Sequence, residues 1–320
     1  MKSKIIKFIG RYVNVLLLVV FCLIAAAFSD SFFTVRNITN ILKQSCILGI
    51  LTVGLSYILI SGHMDLSIGG QVSVAGLLAI TLQQYMPVGM AIVCALIAGC
   101  LMGLLNGVII VCSHADSGGS LMITFGTSLL FSAIALIYTE GFTLPGSDSA
   151  FYEKIGMGTI GKYISYPVII FVILTVILSV IESKTRFGRE LHTIGYNGEC
   201  CRLSGIKTDR CVLISYAVMG VFTAIAAIIL TSRVSGANPT AGDGYEMDAI
   251  IASVLGGVSL NGGSGNVLGA AIGVLTLQVL SNAMNLMGFV TYDQTIVKGV
   301  VLILAIAFDA FNRKQMAVHG

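Results

Sequence analysis

Residues 88–112 read VGMAIVCALIAGCLMGLLNGVIIVC, a run with no charged side chain and a single amide, Asn106. A helix needs about 20 apolar residues to cross the hydrocarbon core of a bilayer. A helix that is apolar on every side belongs to a membrane or to the centre of a very large core. Comparable runs recur along the chain at 12–28, 121–139, 166–181, 212–231, 266–288 and 294–311. The whole sequence agrees. Of 320 residues 56% are hydrophobic and only 10% charged, whereas a soluble domain carries about 25% charged residues. The fold class expected is an all-α, polytopic membrane helical bundle forming one domain over residues 1–320.

Three further apolar segments are short or interrupted: 46–60, 68–82, and 247–260, the last broken by Gly256 and Gly257. Such segments survive at membrane depth only where protein covers them, which places them inside the bundle. Counting all three gives ten crossings. Basic residues set the direction. Lys2, Lys4, Lys7 and Arg11 put the N-terminus in the cytoplasm. The loop at about 183–211, with Lys184, Arg186, Arg189, Arg202, Lys207 and Arg210, and the tail with Arg313 and Lys314 belong on the same side. Loops 140–165 and 232–246 then lie outside. Arg36 and Lys43 fall in the first outer loop, on an expected interfacial helix over 35–45. The first run also has the basic flank and small residues, Ala25–Ala27, of a signal peptide, but its length and the many spans behind it favour an uncleaved helix.

Little in the sequence supports catalysis. Residues 156–161, Gly-Met-Gly-Thr-Ile-Gly, followed by Lys162, approach a nucleotide-binding loop. Tyr163 stands where a magnesium-holding Ser or Thr is needed, and no strand precedes. The four histidines, His63, His114, His192 and His319, are scattered. The eight cysteines lie mostly in apolar runs, without a CxxC pair, and read as small fillers or free thiols. No cofactor or metal is expected on this chain. A net charge of +3, with its basic residues at the ends and in one loop, speaks for orientation in lipid, not for nucleic acid.

Charge at membrane depth is costly and marks candidate sites. Asp65 opens Asp-Leu-Ser-Ile-Gly-Gly, residues 65–70, between two short spans. Glu246 and Asp248 open the third interrupted one. Asp65 and Ser67 can cap the following helix, or line a path together with Gly69 and Gly70; the same choice holds for Glu246 and Asp248. Lys298 lies one turn into the last span, and Asp309 and Arg313 are spaced as a helix-end pair. The dipeptides Met64-Asp65 and Met247-Asp248 echo one another, each ahead of a glycine pair, as internal repeats in transporters do.

Three stretches carry a resemblance: His-Met-Asp-Leu-Ser-Ile-Gly-Gly at 63–70, the loop from Gly188 to Ile206, and Asn238 to Gly265 with Pro-Thr-Ala-Gly-Asp-Gly-Tyr-Glu-Met-Asp-Ala-Ile and Leu-Gly-Gly-Val-Ser-Leu-Asn-Gly-Gly-Ser-Gly. The chain resembles the ribose-type permeases of bacterial carbohydrate ABC importers over essentially its whole length. That resemblance implies a multi-pass inner-membrane protein importing a monosaccharide. It implies as partners a second permease copy or relative, a cytoplasmic ATP-binding subunit that uses ATP and magnesium, and a periplasmic or extracellular sugar-binding protein. It also implies that the segment Gly198, Glu199, Cys200, Cys201, Arg202, Leu203, Ser204 and Gly205 docks on the ATPase. Cys200 and Cys201 replace two alanines usual in that family. An ion-coupled carrier using Asp65 or Asp248, and an intramembrane enzyme, are the competing readings.

Overall fold

Helix α2 (Val35–Ile60) is the pillar of the bundle, and every residue from Ser45 to Ile60 in it is buried. Its buried Ser and Thr hydroxyls need no outside partners. Thr52 donates to the Leu48 carbonyl and Ser56 to that of Val53, each at 2.7 Å, the local back-bonding that makes Ser and Thr tolerable in an apolar helix. The helix starts earlier than the sequence suggests. Thr34 accepts the Asn37 N–H at 3.3 Å, and this N-cap joins the expected interfacial helix to the short span at 46–60. Arg36 and Lys43 therefore ride on α2 and not in a loop.

The computed structural model describes the backbone of residues 2–146, 149–161 and 164–319, with side chains from 14 to 307 inside those ranges. The expected Asp309–Arg313 pair lies outside the described side chains, as do the basic side chains of the N-terminal cluster and tail. In chain order the other helices are α1 (Lys2–Phe28), α3 (Ile68–Thr81), α4 (Val88–Cys112), α5 (Ser117–Thr139), α6 (Ala150–Met157), α7 (Tyr166–Lys184), α8 (Arg186–Leu203), α9 (Thr208–Val234), α10 (Tyr245–Leu255), α11 (Val267–Leu286) and α12 (Thr291–His319). Among the described residues, α2, α4, α5, α7, α9 and α11 are long and apolar enough to cross a membrane. The glycine-rich string at 156–161 ends α6 and enters a small hairpin, β2 (Thr159–Ile160) with β3 (Ile164–Ser165).

Helices α4 and α9 meet at backbone distance. A Cβ on Gly103 would lie 2.1 Å from the Tyr216 carbonyl oxygen, and one on Gly220 2.1 Å from that of Gly99. Small residues four apart permit this approach, and dispersion between the backbones replaces the hydrophobic drive that lipid does not supply. The opposite face of α4 is apolar and exposed, with Leu101 and Leu105, as a lipid-facing surface must be.

Two contacts define the ends of the bundle. At one end β1 (Leu144–Pro145) pairs antiparallel with β4 (Gly236–Ala237). At the other, α8 packs on the end of α2 and on the loop that follows α10. Between them lies a junction of two short helices. Gly242, just ahead of α10, touches Gly69 at the start of α3; a Cβ on Gly242 would sit 1.9 Å from the Gly69 oxygen. A Cβ on Gly70 would lie 2.6 Å from the Ser128 oxygen, in the middle of α5. Helices α3 and α10 thus both begin near mid-bundle, the arrangement of discontinuous helices in transporters.

Candidate functional site

The break between α2 and α3 is organised by Asp65, which is fully buried. Its Oδ1 accepts the Ser67 N–H at 2.8 Å and the Ser67 hydroxyl at 2.5 Å. That hydroxyl in turn accepts from Gln71 Nε2 at 2.6 Å and from Asn106 Nδ2 of α4 at 2.7 Å. A hydroxyl has one proton, here spent on Asp65, so both amides must present their NH2 groups. Ser67 occupies the N-cap position of α3 without a side-chain cap bond. The non-helical backbone around it is satisfied by neighbours instead. Ser120 and Thr124 of α5 accept the N–H groups of Met64 and Leu66, and Tyr216 of α9 donates to the Met64 carbonyl. Non-helical backbone is tolerable at depth only with such cover.

Asp248, the echo of Asp65, is placed differently. It lies on α10 and binds Lys298 of α12 through both carboxylate oxygens, at 2.7 and 3.0 Å. Both side chains are partly open, on the wall of a cavity of about 900 Å³. The cavity is bounded by α2, α9, α10, α11 and α12 near the end marked by β4. Glu246 reaches back toward the Gly244 N–H at 3.3 Å, while its Oε2 lies buried beside Gly69.

Helix α8 forms the other prominent feature. Its backbone turns out of helical geometry at Asn197, whose Oδ1 accepts the Cys200 N–H at 3.0 Å. Asn197 thereby starts a short second segment over 198–203, where a docking helix is expected. Glu199, Cys200, Arg202 and Leu203 are exposed there, while Cys201 is turned inward. Behind it, α8 is clasped to the bundle. A Cβ on Gly195 would lie 2.0 Å from the Ile60 oxygen and 2.2 Å from the Gly263 nitrogen. His192 faces the Gly263 carbonyl with Nδ1 at 3.0 Å and the buried Glu182 carboxylate with Nε2 at 3.2 Å. Both partners only accept, so the imidazolium form satisfies both. The Glu182 bond, together with the Gly263 carbonyl, raises the His192 pKa against the opposing effect of burial. The second Glu182 oxygen accepts the Val267 N–H at the head of α11, at 2.9 Å.

Residues 37–306 match the family described as branched-chain amino acid transport system / permease component. The chain belongs to this permease family. It is 34% identical to the ribose import permease protein of Escherichia coli (strain K12), covering 94% of each chain. It is 35% identical to the ribose import permease protein of Bacillus subtilis (strain 168), over 97% of this chain and 94% of that one. Against the xylose transport system permease protein of Haemophilus influenzae the identity is 30%, over 93% and 95%. No solved structure matches the chain.

In this permease the residues expected at a path or helix break fall into three groups, with Glu246 lying against Gly69 of the first. Asp65, Ser67, Gly69 and Gly70 belong to the buried junction. Asp248 belongs to the cavity wall. Gly256 and Gly257 terminate α10, Gly257 in a left-handed conformation at φ +81°, and start the loop that clasps α8. What sequence reading missed are the pairings: Lys298, already noted as a charge in the last span, with Asp248, and Glu182 with His192, ten positions apart across the α7–α8 turn. A carboxylate at the end of an apolar run, Glu182, was the available signal for the second.

Proposed function

We propose that this permease is the membrane subunit of an ATP-driven importer that carries a monosaccharide, a ribose-like pentose, a hexose or a related small polyol, into the cytoplasm of a bacterium. The observation that carries the reading is the end-to-end match to ribose and xylose import permeases. Ten crossings of the inner membrane, with both termini and α8 in the cytoplasm, fit the contacts. The β1–β4 pairing brings residues 144 and 236 to one side. Gly195 and Gly263 meet on the other. The single domain spans residues 1–320, and energy comes from a cytoplasmic ATP-binding subunit using ATP and magnesium; this chain binds neither. A sugar-binding protein outside and a second permease copy or relative complete the assembly.

The exposed face over Gly198–Gly205 is where the ATP-binding subunit docks, and the clasp behind it turns that subunit's closure into a shift of α8 against α2 and the loop after α10. The test is ATP-dependent uptake of a pentose and hexose panel in proteoliposomes holding the permease, its ATP-binding subunit and its sugar-binding protein. Sugar uptake that needs the ATPase is expected. Uptake without it, following a proton or sodium gradient, would establish the ion-coupled carrier instead. A Cys200→Glu variant is expected to hydrolyse ATP without uptake. Gly205, at φ +78°, strains any replacement and is the poorer probe.

A further inference from the structure

The Ser67 hydroxyl is the hub of a fully buried polar cluster that joins the α2–α3 break to α3 and α4. It donates its one proton to Asp65 Oδ1 and accepts from Gln71 Nε2 and Asn106 Nδ2. Each of those three side chains then has an oxygen left over. Asp65 Oδ2, Gln71 Oε1 and Asn106 Oδ1 are all buried without a hydrogen-bond partner. Each shares a carbon with the atom that bonds Ser67, so all three free oxygens lie within about 5 Å of its hydroxyl. The donors nearby are already spent. Ser120, Thr124 and Tyr216 give their protons to the Ser117, Ser120 and Met64 carbonyls. Buried polar atoms without a partner are rare in folded proteins, and three around one hydroxyl call for a ligand.

The cluster also holds a carboxylate that no cation faces. Helices α3, α4 and α5 contain no Lys, Arg or His. Among the described residues no basic side chain forms an ion pair with Asp65, and His63, two positions away, bonds to Ser61 instead. A buried carboxylate without a counter-charge is costly. A proton on Asp65 would cancel the charge but reach only one of the two amide oxygens. A water would donate to two of the three oxygens and leave the charge in place. A dehydrated cation does both, because it takes all three oxygens at once and neutralises the site. One carboxylate and two amide carbonyls are hard oxygen ligands, the set that suits hard cations. Their single negative charge balances a monovalent ion, and would leave a divalent one with an excess charge in a dry place. We infer that Asp65, Gln71 and Asn106 bind one alkali cation, sodium or potassium, as the resident counter-charge of the α2–α3 break. The ion is held and not carried, since every side chain that binds it is sealed in the bundle. The site is independent of the importer reading and of what the permease transports.

The test is made on the full-length permease, purified in detergent in choline chloride and then equilibrated with sodium, potassium or choline chloride at equal ionic strength. A ligand that binds only the folded chain raises its melting point with concentration. Thermal melting followed by circular dichroism should lie about 3 °C or more higher in sodium or potassium chloride than in choline chloride. Equilibrium dialysis with radioactive sodium or rubidium should find about one ion per chain, as a single occupied site requires. Asp65→Asn puts an NH2 where Oδ2 stood, which removes the charge and donates to a free amide oxygen. This variant should assemble, melt at one temperature in all three salts and hold no ion. Asn106→Leu keeps the carboxylate and removes one ligand, so its half-maximal cation concentration should rise severalfold; it serves as the test should Asp65→Asn fail to assemble. A native chain indifferent to the cation overturns the site. So does a cation response that survives in Asp65→Asn, or one left unchanged in Asn106→Leu. A native chain that melts higher only as pH falls, with no difference among the salts, would make a proton the counter-charge and overturn the site as well.

Discussion

The α8 end and the β4 end of this bundle handle polar groups in opposite ways. At the α8 end and in the buried junction beside it, carboxylates are held by backbone N–H groups and by close side-chain donors. Asp65 takes an N–H and a hydroxyl from one residue, and Glu182 takes the Val267 N–H and an imidazole. Glycines close the gaps there to backbone contact. On the cavity wall at the β4 end, three polar pairs are joined side chain to side chain, and Gln294 also donates to the Phe289 carbonyl. Fixed backbone partners specify one geometry; long side chains facing each other can rearrange at little cost. The first end is held to one geometry, and the second has side chains free to rearrange.

Breaking the first end at its most buried point gives the largest expected effect. Asp65→Leu strips acceptors from the Ser67 N–H and hydroxyl, and each orphaned buried group costs about 1–3 kcal/mol. A loss of several-fold or more in assembled protein, read by size-exclusion chromatography in detergent, is expected. Asp65→Asn retains an acceptor oxygen and should assemble close to normally. Equal damage from both would mean that the charge matters, and the difference between the two ends would have to be redrawn. Gly195→Ala comes next. Its methyl meets the Ile60 oxygen and Gly263, and overpacking costs about 1–3 kcal/mol. Melting in detergent should fall, and ATP hydrolysis should separate from uptake because α8 is displaced.

The β4 end should answer more mildly. Lys298→Met leaves Asp248 unpaired, but both side chains keep about a quarter of their surface open, at 24% and 27%. Solvent screening holds the pair near the weak end of ion-pair energies, about 1 kcal/mol. A thermal-stability cycle of Lys298→Met, Asp248→Leu and the double variant checks this. A coupling above about 3 kcal/mol would show a fixed structural pair and would remove the contrast with Asp65.

How much of this could be read from the sequence depends on the range of each interaction. The apolar runs are local and gave the helices, including the early ends of α3 and α10. What was missed at α2 is that the expected interfacial helix over 35–45 runs unbroken into the span at 46–60, because Arg36 and Lys43 look foreign to a span and the cap, Thr34, is a single polar residue. The α4–α9 seam is written in the sequence as Gly99, Gly103 and Gly107, spaced by four, and that spacing is readable as a close-packing stripe. Asp65 and Asp248 share a dipeptide, yet one is sealed and one is paired on a cavity wall. The difference comes from α4 in one case and α12 in the other, and nothing local announces which helix arrives. The same holds for Glu182 and His192, whose meeting needs the turn between α7 and α8.

That last pair gives the smallest effect and the cleanest separation of the two ends. The imidazole is charged when it bonds both Glu182 and the Gly263 carbonyl, and its pKa is raised above the ordinary 6.5. A group raised on folding contributes fully below its unfolded pKa and loses its contribution as pH climbs through the folded value. The clasp on α8 should therefore be tightest in mild acid and loosen as pH climbs through the raised pKa. His192 is 31% exposed, so screening limits the effect to at most about 1 kcal/mol. Amide hydrogen exchange of residues 188–203, corrected for the intrinsic pH dependence, should show protection falling as pH rises past the raised pKa. In His192→Gln, which has no proton to lose, that slope should be absent. No histidine lines the cavity at the β4 end, so thiol labelling of Gln278→Cys, corrected for reagent chemistry, should not follow the same curve. A matching curve at both ends would mean that the imidazole governs the whole bundle, and the two ends would then be one switch.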